Sequence, residues 1–255
     1  MLTCGCFLST TASVIYSLFL FFGMFAFAGA LLLSIQFRKS PQPYVTHGVI
    51  SSILIGSAPV LVALREILPA FISYDIGNSL NIASYVYVYA SYLCLLGKAV
   101  RFGWVAFWAF IAGLAFLLVL LIIRSRFGTE FQPAVVAFCG AVLNLSTAWP
   151  AARFYKQHQT NVALALAIVF CLNALVWGVR LVTILSYGVS FAFEGGLANA
   201  ITFTLLLMLG ITRYMCFVGV VASIEGQKKE DLITENHLIK LALANKKIEQ
   251  TELQF

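Results

Sequence analysis

The run WVAFWAFIAGLAFLLVLLII (104–123) contains no charged side chain and no proline. At 1.5 Å of rise per residue such a helix is about 30 Å long, the thickness of a bilayer's hydrocarbon core. It is apolar on every side, so it has no polar stripe to turn toward water. Runs of the same kind recur on both sides of it, at residues 8–37, 49–68, 80–96, 133–152, 162–187 and 197–224. The segment at 80–96 is the least apolar, being rich in Tyr and Ser. Across the 255 residues, 61% are hydrophobic and only 10% charged, against about a quarter charged in soluble domains. The expected fold is an all-α integral membrane protein: a seven-transmembrane helix bundle over residues 1–224, then a cytoplasmic, coiled-coil-like helix over 225–255. The lipid bilayer is its first partner.

The connections between the runs carry charge unequally. Arg38 and Lys39, Lys98 and Arg101, Arg153 and Lys156, and Lys228 and Lys229 fall on one set of alternate ends. The other set carries Asp75, then Arg124, Arg126 and Glu130, then Glu194. Basic residues collect in cytoplasmic loops. The asymmetry therefore predicts an N-terminus outside and a C-terminus in the cytoplasm, as in a bacterial inner-membrane protein. The net charge of +6 reports this topology rather than affinity for nucleic acid. Arg124 and Arg126 are the exception, read as side chains that snorkel to headgroups. Cys94, Cys139, Cys171 and Cys216 lie in apolar runs and read as small buried hydrophobes.

The outer connections are short, so a small or lipophilic ligand has to be met inside the bundle. Ionisable groups in spans are costly and face the bundle interior. Arg65 and Glu66 fall near the outer end of the second run and Arg180 in the outer half of the sixth. Asn81, Tyr85, Tyr89 and Tyr92 are spaced four, four and three, which places them on one helical face. Asn173 and Trp177 share the face of Arg180, and Asn199 opens the seventh run. One reading is an outer-half pocket in which Arg65 and Arg180 hold an anionic head, Tyr85 and Trp177 wall it, and Asn81 and Asn199 orient it. The other is interhelical glue, with Arg180 paired to Glu66. Arg213 and Tyr214, nearer the inner face, read as structural. The histidines His47, His158 and His237 are placed at or beyond the cytoplasmic interface and show no metal-ligand spacing. No Gly-flanked serine nucleophile occurs either. A catalytic residue, metal or cofactor is therefore not expected.

The stretch KKEDLITENHLIKLALANKKIEQTELQF (228–255) is different in kind, dense in Lys and Glu. Leu238, Leu241, Asn245, Ile248, Glu252 and Phe255 are spaced three, four, three, four and three, a heptad seam. Asn245 takes a position where a buried Asn favours two parallel strands. The seam predicts a homodimer through Leu238, Leu241, Asn245, Ile248 and Phe255; a helix lying on the membrane surface is the alternative. No proline separates this segment from the seventh run, so one nearly continuous rod is expected. The segment ENHLIKLALANKKIEQTELQF resembles the signalling-helix linkers of bacterial histidine kinases and diguanylate cyclases with multi-helix membrane-sensor regions. That resemblance implies a membrane receptor or sensor acting on a cytoplasmic kinase or cyclase output domain. His237 is followed by LIKLA and not by a phosphoacceptor box, so the resemblance implies that the output lies elsewhere. A small seven-helix transporter with a regulatory tail is the alternative function.

Single cysteines introduced at 39, 98 and 156 are expected to resist a membrane-impermeant maleimide applied from outside. External labelling at 156 contradicts the assigned direction.

Overall fold

The computed structural model describes the backbone of residues 2–39, 41–187 and 197–252, and the side chains of 15–39, 41–186 and 200–246. Helix α1 runs over Leu2–Gln36 and α2 over Pro43–Ala63. A π-helical turn, Phe71–Ile76, leads straight into α3, Gly77–Leu95. Helix α4 is Phe102–Phe127, α5 Gln132–His158, α6 Asn161–Tyr187 and α7 Leu197–Glu252. Six of these helices are long and apolar enough to cross a membrane; α3 is the exception.

Successive helices are antiparallel neighbours. Helices α1, α2, α3, α5, α6 and α7 form a ring, each packed on the next, and α7 closes it against α1. Helix α4 packs outside the ring, chiefly on α3. Its buried residues Val105, Ala109, Phe116 and Leu120 follow a helical stripe. Phe107, Phe110, Leu114, Leu118 and Ile122 are exposed around the rest of it. Apolar surface of that extent fits lipid, which costs it nothing, and not water. The Arg38, Lys98, Arg153 and Lys228 connections all fall at one end of the bundle. That end is closed by a cluster in which Tyr92, Phe154, Leu166, Phe170, Val220 and Val221 are almost wholly buried.

Close approach of α1 and α2 depends on Gly23 and Gly56. A Cβ on Gly23 would lie 2.9 Å from the Gly56 carbonyl oxygen, and one on Gly56 would lie 3.0 Å from the Ala26 Cβ. Backbone-to-backbone contact of this kind is how small residues join helices where no water remains to be expelled.

Two expectations are corrected. Asp75 does not sit in an accessible loop: it is fully buried in the π-turn that extends α3 outward. Arg124, expected to reach for headgroups, turns inward to meet it. Its Nη1 lies 2.9 Å from Asp75 Oδ2 and its Nη2 donates to Oδ1 at 3.1 Å. The Gln132 side-chain amide, also fully buried, donates to Asp75 Oδ1 at 3.1 Å and to the Leu120 carbonyl at 3.0 Å. One neutralised knot thus joins α3, α4 and α5 at the ends opposite the basic connections. His47, read at the cytoplasmic interface, is 2% exposed and stacks on Phe102 with ring centroids 5.9 Å apart. Glu194 lies outside the described residues.

Removing one partner of a buried pair leaves the other charge unpaired, at a cost of about 3–5 kcal/mol. Asp75→Ala is therefore expected to lower the melting temperature of the purified protein sharply, and the Asp75→Ala/Arg124→Leu double variant to recover part of the loss. A double variant no more stable than Asp75→Ala contradicts the pairing.

Candidate functional site

The six ring helices enclose a cavity of about 140 Å³, and α4 contributes nothing to its wall. The lining follows from helical periodicity on each element. On α7, Phe203, Leu206, Leu207, Gly210 and Arg213 recur at steps of three and four, one face of the helix. On α6, Asn173, Trp177 and Arg180 do the same, and on α3 Asn78, Asn81 and Tyr85, with Tyr74 from the π-turn. Phe19 and Phe22 of α1 and Ile55, Ala58, Pro59 and Val62 of α2 supply the apolar side, with Pro133 and Val136 from α5.

Two arginines mark its ends. Arg180 is 5% exposed and holds its Cζ 4.1 Å from the centroid of the Phe203 ring. Arg213 is 8% exposed, and its Nη1 donates to the Tyr85 hydroxyl at 3.2 Å. Its Cζ lies 5.4 Å from the Tyr85 ring centroid and 5.6 Å from that of Phe170. Asn144 of α5 donates to the same hydroxyl at 2.7 Å and to the Gly140 carbonyl at 2.8 Å. Tyr85 thereby ties α3, α5 and α7 together at the cavity floor. A phenol oxygen with both lone pairs engaged still has its own hydrogen to donate. Asn173, 4% exposed, has a buried side-chain carbonyl oxygen with no donor among the described residues. Toward the basic end a second cavity of about 40 Å³ shares Phe22, Ile55, Gly210 and Arg213 with the first. Arg213 therefore stands between the two.

The sequence-derived candidates divide. Asn81, Tyr85, Asn173, Trp177 and Arg180 all come to the cavity wall. Arg65 and Glu66 do not. They lie just past α2 with Tyr16, whose hydroxyl donates to Glu66 Oε1 at 2.8 Å and accepts from Arg65 Nε at 3.1 Å. Glu66 is thus turned to α1 and not to Arg180. Asn199 falls in the first turn of α7, with its side chain outside the described residues. Reading by sequence depth alone missed Arg213, Tyr74, Asn78 and Phe203. The signal for Arg213 was its phase: it lies ten residues after Phe203 and three after Gly210, on the same face of α7.

Beyond the bundle, α7 continues without a break through Gly226 to Glu252. At 1.5 Å per residue it is about 84 Å long, far more than a bilayer requires. Where it leaves the bundle it is fastened to α2: Tyr44 donates to Glu225, and Lys228 Nζ donates to Tyr44 Oη at 3.2 Å and to Glu225 at 3.0 Å. Leu238, Leu241 and Asn245 are exposed, as are Leu232, Ile239 and Leu243. Ile248 lies on the helix with its side chain outside the described residues, and Phe255 lies outside them altogether.

No protein-family model, curated protein or solved structure matches this chain.

Trp177 owes its place in the wall to Gly140, where an added Cβ would come within 2.7 Å of the indole. Gly140→Ala is expected to displace the ring and destabilise the protein by about 1–3 kcal/mol, seen as a lower melting temperature and a shifted tryptophan emission. Gly178→Ala, where a Cβ meets nothing within 4 Å, is the control. Equal behaviour of the two variants contradicts the seat.

Proposed function

We propose that this chain is a membrane receptor module that binds a small ligand in the ring cavity and passes its occupancy to the cytoplasm along α7. The observation that carries the reading is that one unbroken helix supplies both a wall of the cavity and the helix that projects beyond the bundle. Phe203, Leu206, Leu207, Gly210 and Arg213 face the cavity, and the same helix continues beyond Ile224 for about 40 Å. A ligand can shift an equilibrium only by binding its two states differently. A site built partly from α7 meets that condition, because any tilt or rotation of α7 alters the site.

In this reading all seven helices cross the bilayer. Helix α3 crosses despite its polar face because α2, α4 and α5 shield it. The N-terminus is outside, the basic loops and the tail are cytoplasmic, and the membrane is a bacterial inner membrane. Two chains pair in parallel through Leu238, Leu241, Asn245, Ile248 and Phe255, and the paired helices act on a kinase or cyclase output. The exposed apolar side chains of the tail support a partner there, and the acidic residues mixed among the lysines favour a second helix over a lipid surface. The fastening of Glu225 and Lys228 to Tyr44 sets where the tail leaves the bundle.

The test is disulfide formation between copies carrying a single cysteine at 241 or 248, compared with 246. Faster cross-linking at 241 and 248 is expected, and Leu238→Asp should abolish it by placing like charges in a buried seam. Cross-linking no faster than at 246 contradicts the paired helix.

A further inference from the structure

We infer that the cavity takes a small aromatic carboxylate, its carboxylate on the unoccupied edge of Arg213 and its ring between Phe22 and Trp177. This specifies the ligand of the receptor reading and rests on it. Arg213 is 8% exposed, yet among the described residues the ion pairs use Arg124 with Asp75 and Lys228 with Glu225. Among the described residues no Asp or Glu stands in the cavity wall. Of the five N–H donors of a guanidinium, the one hydrogen bond of Arg213 uses one, to Tyr85. A buried cation left without a counter-charge costs several kcal/mol. The missing component is therefore an anion that enters from outside the chain.

The kind of anion follows from three further facts. Arg213 is the one positive charge at its end of the cavity, so a monoanion neutralises it while a dianionic phosphate leaves that end negative. Arg180 cannot share the same head. It lies against Phe203, ten residues before Arg213 on α7, which is about 15 Å along the helix. The guanidinium fork matches the two oxygens of a carboxylate, and the Tyr85 hydroxyl, with two donors already on its oxygen, turns its hydrogen to the same group. Size then limits the body. A cavity of about 140 Å³ is comparable to one that holds a benzene ring, and its outward walls are aromatic. The unpartnered carbonyl oxygen of Asn173 further favours a ligand with a hydroxyl or N–H donor near the acid.

The full chain is reconstituted in nanodiscs of zwitterionic lipid and titrated with benzoate, phenylacetate and 3-phenylpropanoate, each against its primary amide. At least one acid is expected to bind about tenfold or more tightly than its amide, the effect of a hydrogen bond to a charge. Arg213→Gln should bring that acid down to its amide, and Arg213→Lys should retain part of the difference. Where Arg213→Gln does not fold, Tyr85→Phe decides, with a reduced preference for the acid expected. Amides that bind as well as all three acids, or a preference that survives these variants, overturn the carboxylate assignment and leave the receptor reading standing. Saturable binding of none of the six compounds overturns both.

Discussion

Polar side chains in a bundle surrounded by lipid have to be kept from it, and among the described residues α3 with its π-turn buries more of them than any other helix. Ser73, Asp75, Ser79, Ser84, Tyr85, Ser91 and Tyr92 are all buried along the π-turn and α3. That burial dictates the arrangement around them. Helix α2 packs on one side, α5 on another, and α4 covers the outer face while keeping its own apolar surface toward lipid. The remaining helices close the ring; of these side chains Tyr85 faces the larger cavity, Ser91 and Tyr92 the smaller one, and Asp75 is turned to α4 and α5. Short serine bonds to the preceding turn, such as Ser79 to the Asp75 carbonyl at 2.7 Å, satisfy part of the stripe locally. What local bonds do not satisfy is met across helices by Arg124, Gln132, Asn144 and Arg213.

The apolar helices were legible in the sequence because length and composition are enough to identify them. Helix α4, uninterrupted and apolar all round, shows this most plainly. The outer start of the third helical segment was not legible. Ser73, Asp75 and Asn78 have the composition of a loop; Asp75 is held in the helical segment by Arg124 and Gln132, and Ser73 and Asn78 bond back to the carbonyls of Pro69 and Tyr74. The cavity was half legible: Asn81, Tyr85, Asn173, Trp177 and Arg180 share faces that period alone reveals. Arg65 failed because proximity in depth does not give direction around the ring, and the chain turns it to Tyr16. Arg213, read as structural, does join α7 to Tyr85 of α3, and it lines the cavity as well. Its depth suggested the inner interface, whereas its phase with Phe203 and Gly210 turns it to the cavity.

The cavity and the tail are joined by one unbroken helix. Gly226 is the one flexible residue at the exit, and α7 passes through it as helix. Just beside it the Tyr44, Glu225 and Lys228 group holds α7 to α2. Lys228 and Glu225 are only partly buried, so this fastening contributes little stability on its own. A weak fastening at the exit suits the proposed signalling, in which a cavity ligand favours one orientation of α7 over another.

The most direct test of that coupling is the rate of disulfide formation at a cysteine placed at 241, on a background without the native cysteines, measured with and without a saturating aromatic acid shown to bind. The account predicts a rate that changes on binding, and a change that Arg213→Gln removes. Full occupancy of the cavity with an unaltered rate at 241 would contradict it.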